Sequence, residues 1–99
     1  MIAVLGSFRF PAGSIEQARP LMQAVIAATL IERGCRAYSY AEDVAEPGLF
    51  RVTELWDDHE ALDAHFETPH MKQWMDERAR LGFSNRVIAS YEVGPAKPL

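Results

Sequence analysis

Four breaker signals cut this chain into short pieces: PAG at Pro11 to Gly13, Gly34, EPG at Glu46 to Gly48, and Gly82. Each piece carries its own hydrophobic period, so their order limits the folds open to the chain. IAVLGSFRF, Ile2 to Phe10, is β-branched and aromatic and reads as a strand. After PAG, Ser14 and Gln17 have capping-box spacing. Apolar residues then recur at Leu21, Met22, Val25, Ile26 and Leu30, predicting a helix that stops at Gly34. Pro20 lies within it, so either Ser14 to Arg19 is a separate turn or the helix bends there.

CRAYSYAEDV, Cys35 to Val44, and LFRVTELW, Leu49 to Trp56, flank the EPG turn and read as a β-hairpin. A period of two places Phe50, Val52, Glu54 and Trp56 on one face, with Arg51, Thr53 and Leu55 on the other. A carboxylate therefore sits among apolar neighbours. Asp57 and Glu60 form a second capping-box candidate, opening a helix through Phe66. Thr68 and Pro69 cap and start another helix, which runs to about Leu81. NRVIASYEV, Asn85 to Val93, is the last strand, and GPAKPL is a short tail of residues 94–99.

The resulting order, βα-ββ-αβ, fits an α+β, ferredoxin-like arrangement with two helices covering one face of a four-stranded antiparallel sheet. A single domain is expected over residues 1–99, with its core at about 2–93. The other sheet face is also partly apolar, through Ala3 and Leu5 on the first strand and Val87, Ala89, Tyr91 and Val93 on the last. It needs a second cover, most simply the same sheet of another copy, so a homodimer is expected.

Charge narrows the partners. Fourteen acids against ten bases give a net charge of -4, and the bases form no stripe, which disfavours nucleic acid. Hydrophobic residues at 48% are ordinary for a folded chain, and no run approaches the roughly 18 apolar residues of a membrane span. The lone Cys35 and an N-terminus without a signal-peptide pattern lead to the expectation of a cytoplasmic location.

GCRAYSY and FRVTELWDDHEALDAHFETPHMKQW together resemble the antibiotic biosynthesis monooxygenase (ABM) domain family, particularly its quinol monooxygenase members. The most specific residues are Gly34 and Cys35, Glu54 and Trp56, and the His-x4-His pair His65 and His70. The resemblance implies a dimeric α+β barrel with a pocket between sheet and helices. It also implies oxidation of phenolic or hydroquinone compounds by molecular oxygen without metal or flavin, although relatives include haem degraders and isomerases. In the polyketide-oxidising type an asparagine precedes the strand tryptophan by four residues and a tyrosine follows it by six. Here those positions hold Val52 and Leu62. The haem-degrading type has tryptophan at about His65 and histidine at about Met75, which disfavours haem.

The candidate chemistry rests on few residues. His65 shares a helical face with Leu62 and Phe66 and points toward the sheet, and His70 falls in the first turn after Thr68, where the helix dipole favours a neutral imidazole. Either suits a base toward a phenol or a plain hydrogen-bonding role. As metal ligands they straddle a helix break, which does not fit zinc-helix spacing, and no metal site is expected. Glu54 and an arginine such as Arg78, on the apolar face of the last helix with Met71, Trp74 and Met75, either neutralise each other as a structural pair or stand in the pocket, Glu54 as a catalytic and Arg78 as a substrate-binding residue. Trp56, Trp74, Tyr38 and Tyr40 offer flat surface for an aromatic or quinonoid ligand, or simply fill the core. The expected function is a cofactor-independent monooxygenase of a phenol or hydroquinone. A non-enzymatic small-molecule binding dimer and an isomerase of a small carbonyl compound remain the alternatives.

Overall fold

The computed structural model describes residues 1–99. Strands β1 (Ile2–Arg9), β2 (Cys35–Glu42), β3 (Leu49–Trp56) and β4 (Ser84–Glu92) form one antiparallel sheet in the order β2-β3-β1-β4. Helices α1 (Ile15–Leu30), α2 (His59–Phe66) and α3 (Pro69–Ala79) follow β1 and β3. The expected element order and ferredoxin-like topology are those observed.

Alternation along the strands decides which face the helices cover. Ile2, Val4 and Phe8 of β1 pair with Trp56, Glu54 and Phe50 of β3, and all six are buried. Tyr38 of β2 stands opposite Glu54 from the other side, so this carboxylate lies between Tyr38 and Val4 in the middle of the covered face. The residues between them, such as Leu5, Arg51 and Thr53, are exposed. Gly6 is required where β1 meets β4, since a Cβ there would come within 2.2 Å of the Val87 carbonyl oxygen.

Ala18, Met22, Val25 and Thr29 form a single buried stripe of α1 at helical spacing. Pro20 falls outside the stripe, on an exposed position, and the helix continues through it from Ile15 to Leu30 without a separate first turn. Ser14 precedes α1 but its side chain caps nothing. The helix is instead entered through a 3-10 turn at Ala12–Ser14, which replaces the expected capping box. The cap of α2 also differs by one residue: Asp58, not Asp57, accepts the Ala61 N–H at 2.8 Å. At α3 the Thr68 cap is as expected, accepting from the Met71 N–H, with Pro69 in the first turn.

Two buried clusters result. One gathers Phe8, Phe10, Met22, Phe50, Met71 and Trp74 under α1 and α3. The other holds Ile2, Val4, Tyr38, Trp56 and Leu62 under α2, with Tyr40 and Ile88 packed against both. The indoles of Trp56 and Trp74 are almost wholly buried, and aromatics of this size remove about 150–250 Å² each from water. They are principal contributors to the packing energy. β4 contributes little to either cluster, and its residues are exposed apart from half-buried Ile88.

Candidate functional site

The break between α2 and α3 positions both histidines. Thr68 donates its hydroxyl hydrogen to the His65 carbonyl at 2.7 Å while accepting from Met71, which fixes the turn between the helices. His65 then points inward from the last turn of α2 and His70 lies in the first turn of α3. What joins them is Glu32, from the turn after α1, whose Oε2 lies 2.8 Å from His65 Nδ1 and 2.6 Å from His70 Nε2. An ionised carboxylate only accepts, so each imidazole presents an N–H to this oxygen. His65 Nε2 and His70 Nδ1 remain as the basic nitrogens.

The two rings differ in surroundings. His65 is 1% exposed and lies against Trp56 and Tyr38, with ring centroids 5.0 and 5.3 Å away. Burial holds its pKa below the ordinary imidazole value despite the opposing pull of Glu32. His70 is partly open. With Leu21, Ala24, Val25, Gln73, Trp74 and Glu77 it lines a groove of about 120 Å³ between α1 and α3. That volume is close to the roughly 150 Å³ in which an apolar cavity holds benzene.

Glu54 is the second buried polar group, at 6% exposure. Its partner is not Arg78, as the sequence reading allowed, but Trp56, whose Nε1–H donates to Glu54 Oε1 at 2.9 Å. Both side chains project from the same face of β3 two residues apart, so the indole reaches the carboxylate without help from a helix. Burial pushes the Glu54 carboxyl up to about 7, more than the Trp56 hydrogen bond lowers it.

Tyr38 and Tyr40 share a 2.6 Å hydroxyl contact, and their rings continue from His65 toward Trp74, which stacks on Tyr40 at 6.1 Å. Burial raises the pKa of both hydroxyls, that of Tyr40 to about 12, so both stay protonated. Arg78 ends this wall, its guanidinium 5.8 Å from the Trp74 ring centre and 4.1 Å from that of Phe83. All eight sequence-derived candidates therefore lie along one connected wall of the helix-covered face. The wall is closed at Trp56, Glu54, His65, Tyr38 and Trp74, however. Two further hollows, one beside Gly34 and α2 and one at the Met1 edge, hold none of the eight.

Sequence reading missed Glu32, for which no local signal exists, because it meets the histidines only through the packing of α1 against α2 and α3. Glu32, His65 and His70 together offer one oxygen and two nitrogens within 4.8 Å of one another. The oxygen-to-nitrogen contacts are hydrogen-bond lengths, shorter than the roughly 3.3 Å separation of donors around a tetrahedral zinc with bonds of about 2.0 Å. As placed, the three form a carboxylate-bridged imidazole pair.

The four-stranded antiparallel sheet with its helices on one face sets the class, a ferredoxin-like α+β protein. Residues 1–77 match the model for the antibiotic biosynthesis monooxygenase domain, and the chain belongs to that family. An uncharacterized protein of Synechocystis is 30% identical over 98 residues, 99% of this chain and 67% of its own length. Among solved structures, a candidate antibiotic biosynthesis monooxygenase from Deinococcus radiodurans is 31% identical, with TM-score 0.93 over 100% of this chain and 98% of that one. Rv0793 from Mycobacterium tuberculosis is 25% identical, with TM-score 0.82 over 98% of this chain and 96% of that one. No helix is long and apolar enough to cross a membrane.

Proposed function

We propose that this protein is a cofactor-independent monooxygenase that oxidises a phenolic or hydroquinone ring with molecular oxygen. The observation that carries the reading is the Glu32 carboxylate shared by His65 and His70, with His70 bordering a ring-sized groove. Family membership supports the reaction class. In this scheme His70 Nδ1 takes the phenolic proton, and the imidazolium so formed keeps its Nε2–H against Glu32, which stabilises the new charge. The electron-rich phenolate then reduces oxygen. For hydroquinone one oxygen atom enters the ring, giving hydroxyquinone, and the other leaves as water, so the substrate supplies all the electrons. Leu21, Ala24 and Gln73, on the groove wall, flank the ring with the buried Trp74 behind them, while His65 and Tyr38 anchor Glu32 and the aromatic wall from within. Glu54, carrying a proton near neutral pH, serves as a second proton-transfer group once the closed part of the wall opens to a ligand.

A homodimer through the open sheet face belongs to the same reading. Leu5, Val87, Tyr91 and Val93 are 50%, 72%, 51% and 38% exposed, and cross-strand pairing puts Leu5 beside Ala89 and Ala3 beside Tyr91. A second copy covers this patch most economically.

The test is oxygen uptake by chelator-treated protein given hydroquinone. Uptake above buffer that is lost in His70→Ala supports the proposal, and no uptake, or uptake unchanged in that variant, ends it. The closed packing around Trp56 favours a second reading, a small-molecule binding dimer, which saturable binding without turnover would select. A product formed without oxygen uptake would instead select an isomerase.

A further inference from the structure

The groove that His70 borders has a second polar end. His70, Gln73, Trp74 and Glu77 recur on α3 at the spacing that keeps side chains on one face of a helix, and all four line the groove. His70 and Glu77 stand two turns apart, about 10.5 Å along the helix axis. Gln73 lies between them, and the Trp74 ring is buried behind. The facing wall, from α1, is Leu21, Ala24 and Val25 and carries no polar side chain. The groove is thus apolar along one side, with an imidazole and a carboxylate two turns apart along the other.

Glu77 is held there without a partner. Its side chain is half-buried, yet it enters none of the ion pairs and none of the side-chain hydrogen bonds of the chain. The cations next to it in sequence are engaged elsewhere: Arg80 pairs with Asp76 at 3.0 Å, and Arg78 lies over the Phe83 ring. The position itself disfavours an anion, because Glu77 is in the last turn of α3, at the negative end of the helix dipole. No lysine or arginine lines the groove. A donor brought by a ligand would satisfy this carboxylate, whereas an anionic ligand would meet Glu77 at one end and Glu32, bound to His70, at the other.

We infer that Glu77 is a specificity-determining residue, accepting a hydrogen bond from an O–H or N–H group para to the phenolic oxygen that His70 deprotonates. The span fits such a ring. Hydrogen bonds of about 2.8 Å at each end take up roughly half of the 10.5 Å and leave about 5 Å, close to the separation of the two oxygens of hydroquinone. Substituents ortho to one another lie too close together to reach both ends. The inference rests on the proposal that this groove takes a phenolic ring, and it adds which substituent the ring carries and where.

The probes are hydroquinone, 4-methoxyphenol, catechol and 4-hydroxybenzoate, which share the phenol and differ in the second substituent. Binding is read by calorimetry and from tryptophan fluorescence, oxygen uptake separately. Wild-type protein is expected to bind hydroquinone at least about tenfold more tightly than 4-methoxyphenol or catechol, neither of which makes the charge-assisted bond to Glu77. It should bind 4-hydroxybenzoate more weakly still. Glu77→Leu should bring hydroquinone and 4-methoxyphenol to within about threefold of each other, and Glu77→Gln, which keeps an acceptor oxygen without the charge, should retain part of the preference. Glu77→Lys should reverse the order, favouring 4-hydroxybenzoate. Thermal unfolding of each variant establishes that it is folded. Equal binding of hydroquinone and 4-methoxyphenol by the wild type, binding of neither, or a preference that survives in folded Glu77→Leu overturns the inference. Glu77-dependent binding without oxygen uptake would leave it standing and remove the monooxygenase reading. Uptake lost in His70→Ala, with binding and uptake both unchanged in Glu77→Leu, would do the reverse.

Discussion

Oε2 of Glu32 lies 2.6 Å from Nε2 of His70, and the same oxygen accepts from His65, so one carboxylate from the turn after α1 orients both imidazoles at the α2–α3 break. Removing it affects stability and chemistry in separable ways. Glu32→Ala leaves the buried His65 Nδ1–H without an acceptor and should cost about 2 kcal/mol in urea unfolding. Glu32→Gln keeps an acceptor oxygen and should cost less than about 1 kcal/mol, yet lose most of the proposed activity because it no longer stabilises the imidazolium. An alanine variant as stable as wild type would show that the bridge has no structural weight.

The Glu54 carboxyl gives a pH signature. Its folded pKa is raised to about 7 from an ordinary 4.5, so the folded state holds the proton more firmly than the unfolded state does. Stability from this group is complete below pH 4.5 and is lost as pH rises through 7, on the order of 3 kcal/mol in all. Glu54→Gln still accepts from Trp56 but does not titrate. Relative to wild type it should therefore gain stability at pH 8 and little at pH 5, measured by denaturant midpoints. His65 has the opposite sign: its depressed pKa makes the unfolded chain take up the proton first, so its contribution fades as pH falls below the unfolded value of 6.5. A double variant lacking both ionisable groups should show a flatter profile from pH 5 to 8 than wild type.

Gly34 is fixed by backbone and space together. Its φ is +83°, a conformation that L side chains rarely adopt, and an added Cβ would lie 2.6 Å from the Ala61 Cβ of α2. Its carbonyl also accepts the Asp57 N–H at 2.8 Å, joining the start of β2 to the end of β3. Gly34→Ala should destabilise the fold by at least about 2 kcal/mol, while Gly13→Ala, where a Cβ meets nothing within 4 Å, should be nearly neutral. Thermal unfolding of the two variants side by side checks the contrast.

The open sheet face provides a test of assembly. If a second copy covers Leu5, Val87 and Tyr91, the paired substitution Leu5→Lys and Val87→Lys should convert a dimer into a monomer at micromolar concentration by light scattering. The helix-side core should remain intact, because neither side chain belongs to the buried clusters. A wild-type monomer at the same concentration would remove the homodimer proposal.

Period and punctuation, which depend only on neighbours in the chain, were enough to determine the element order, the covered face of β3 and the Thr68–Pro69 start of α3. They placed Glu54 among apolar residues for the same reason: alternation is local. Tertiary structure decided the partners. Trp56 satisfies Glu54 because a strand brings side chains two residues apart onto one face, whereas Arg78, which helix periodicity alone put on the same side, stacks on Phe83 instead. Glu32 reaches histidines 33 and 38 residues away, a contact that exists only once α1 has packed against the other helices. Hydrophobic pattern specifies which faces are buried, but a buried polar group is satisfied by whatever the packed elements bring within hydrogen-bond reach.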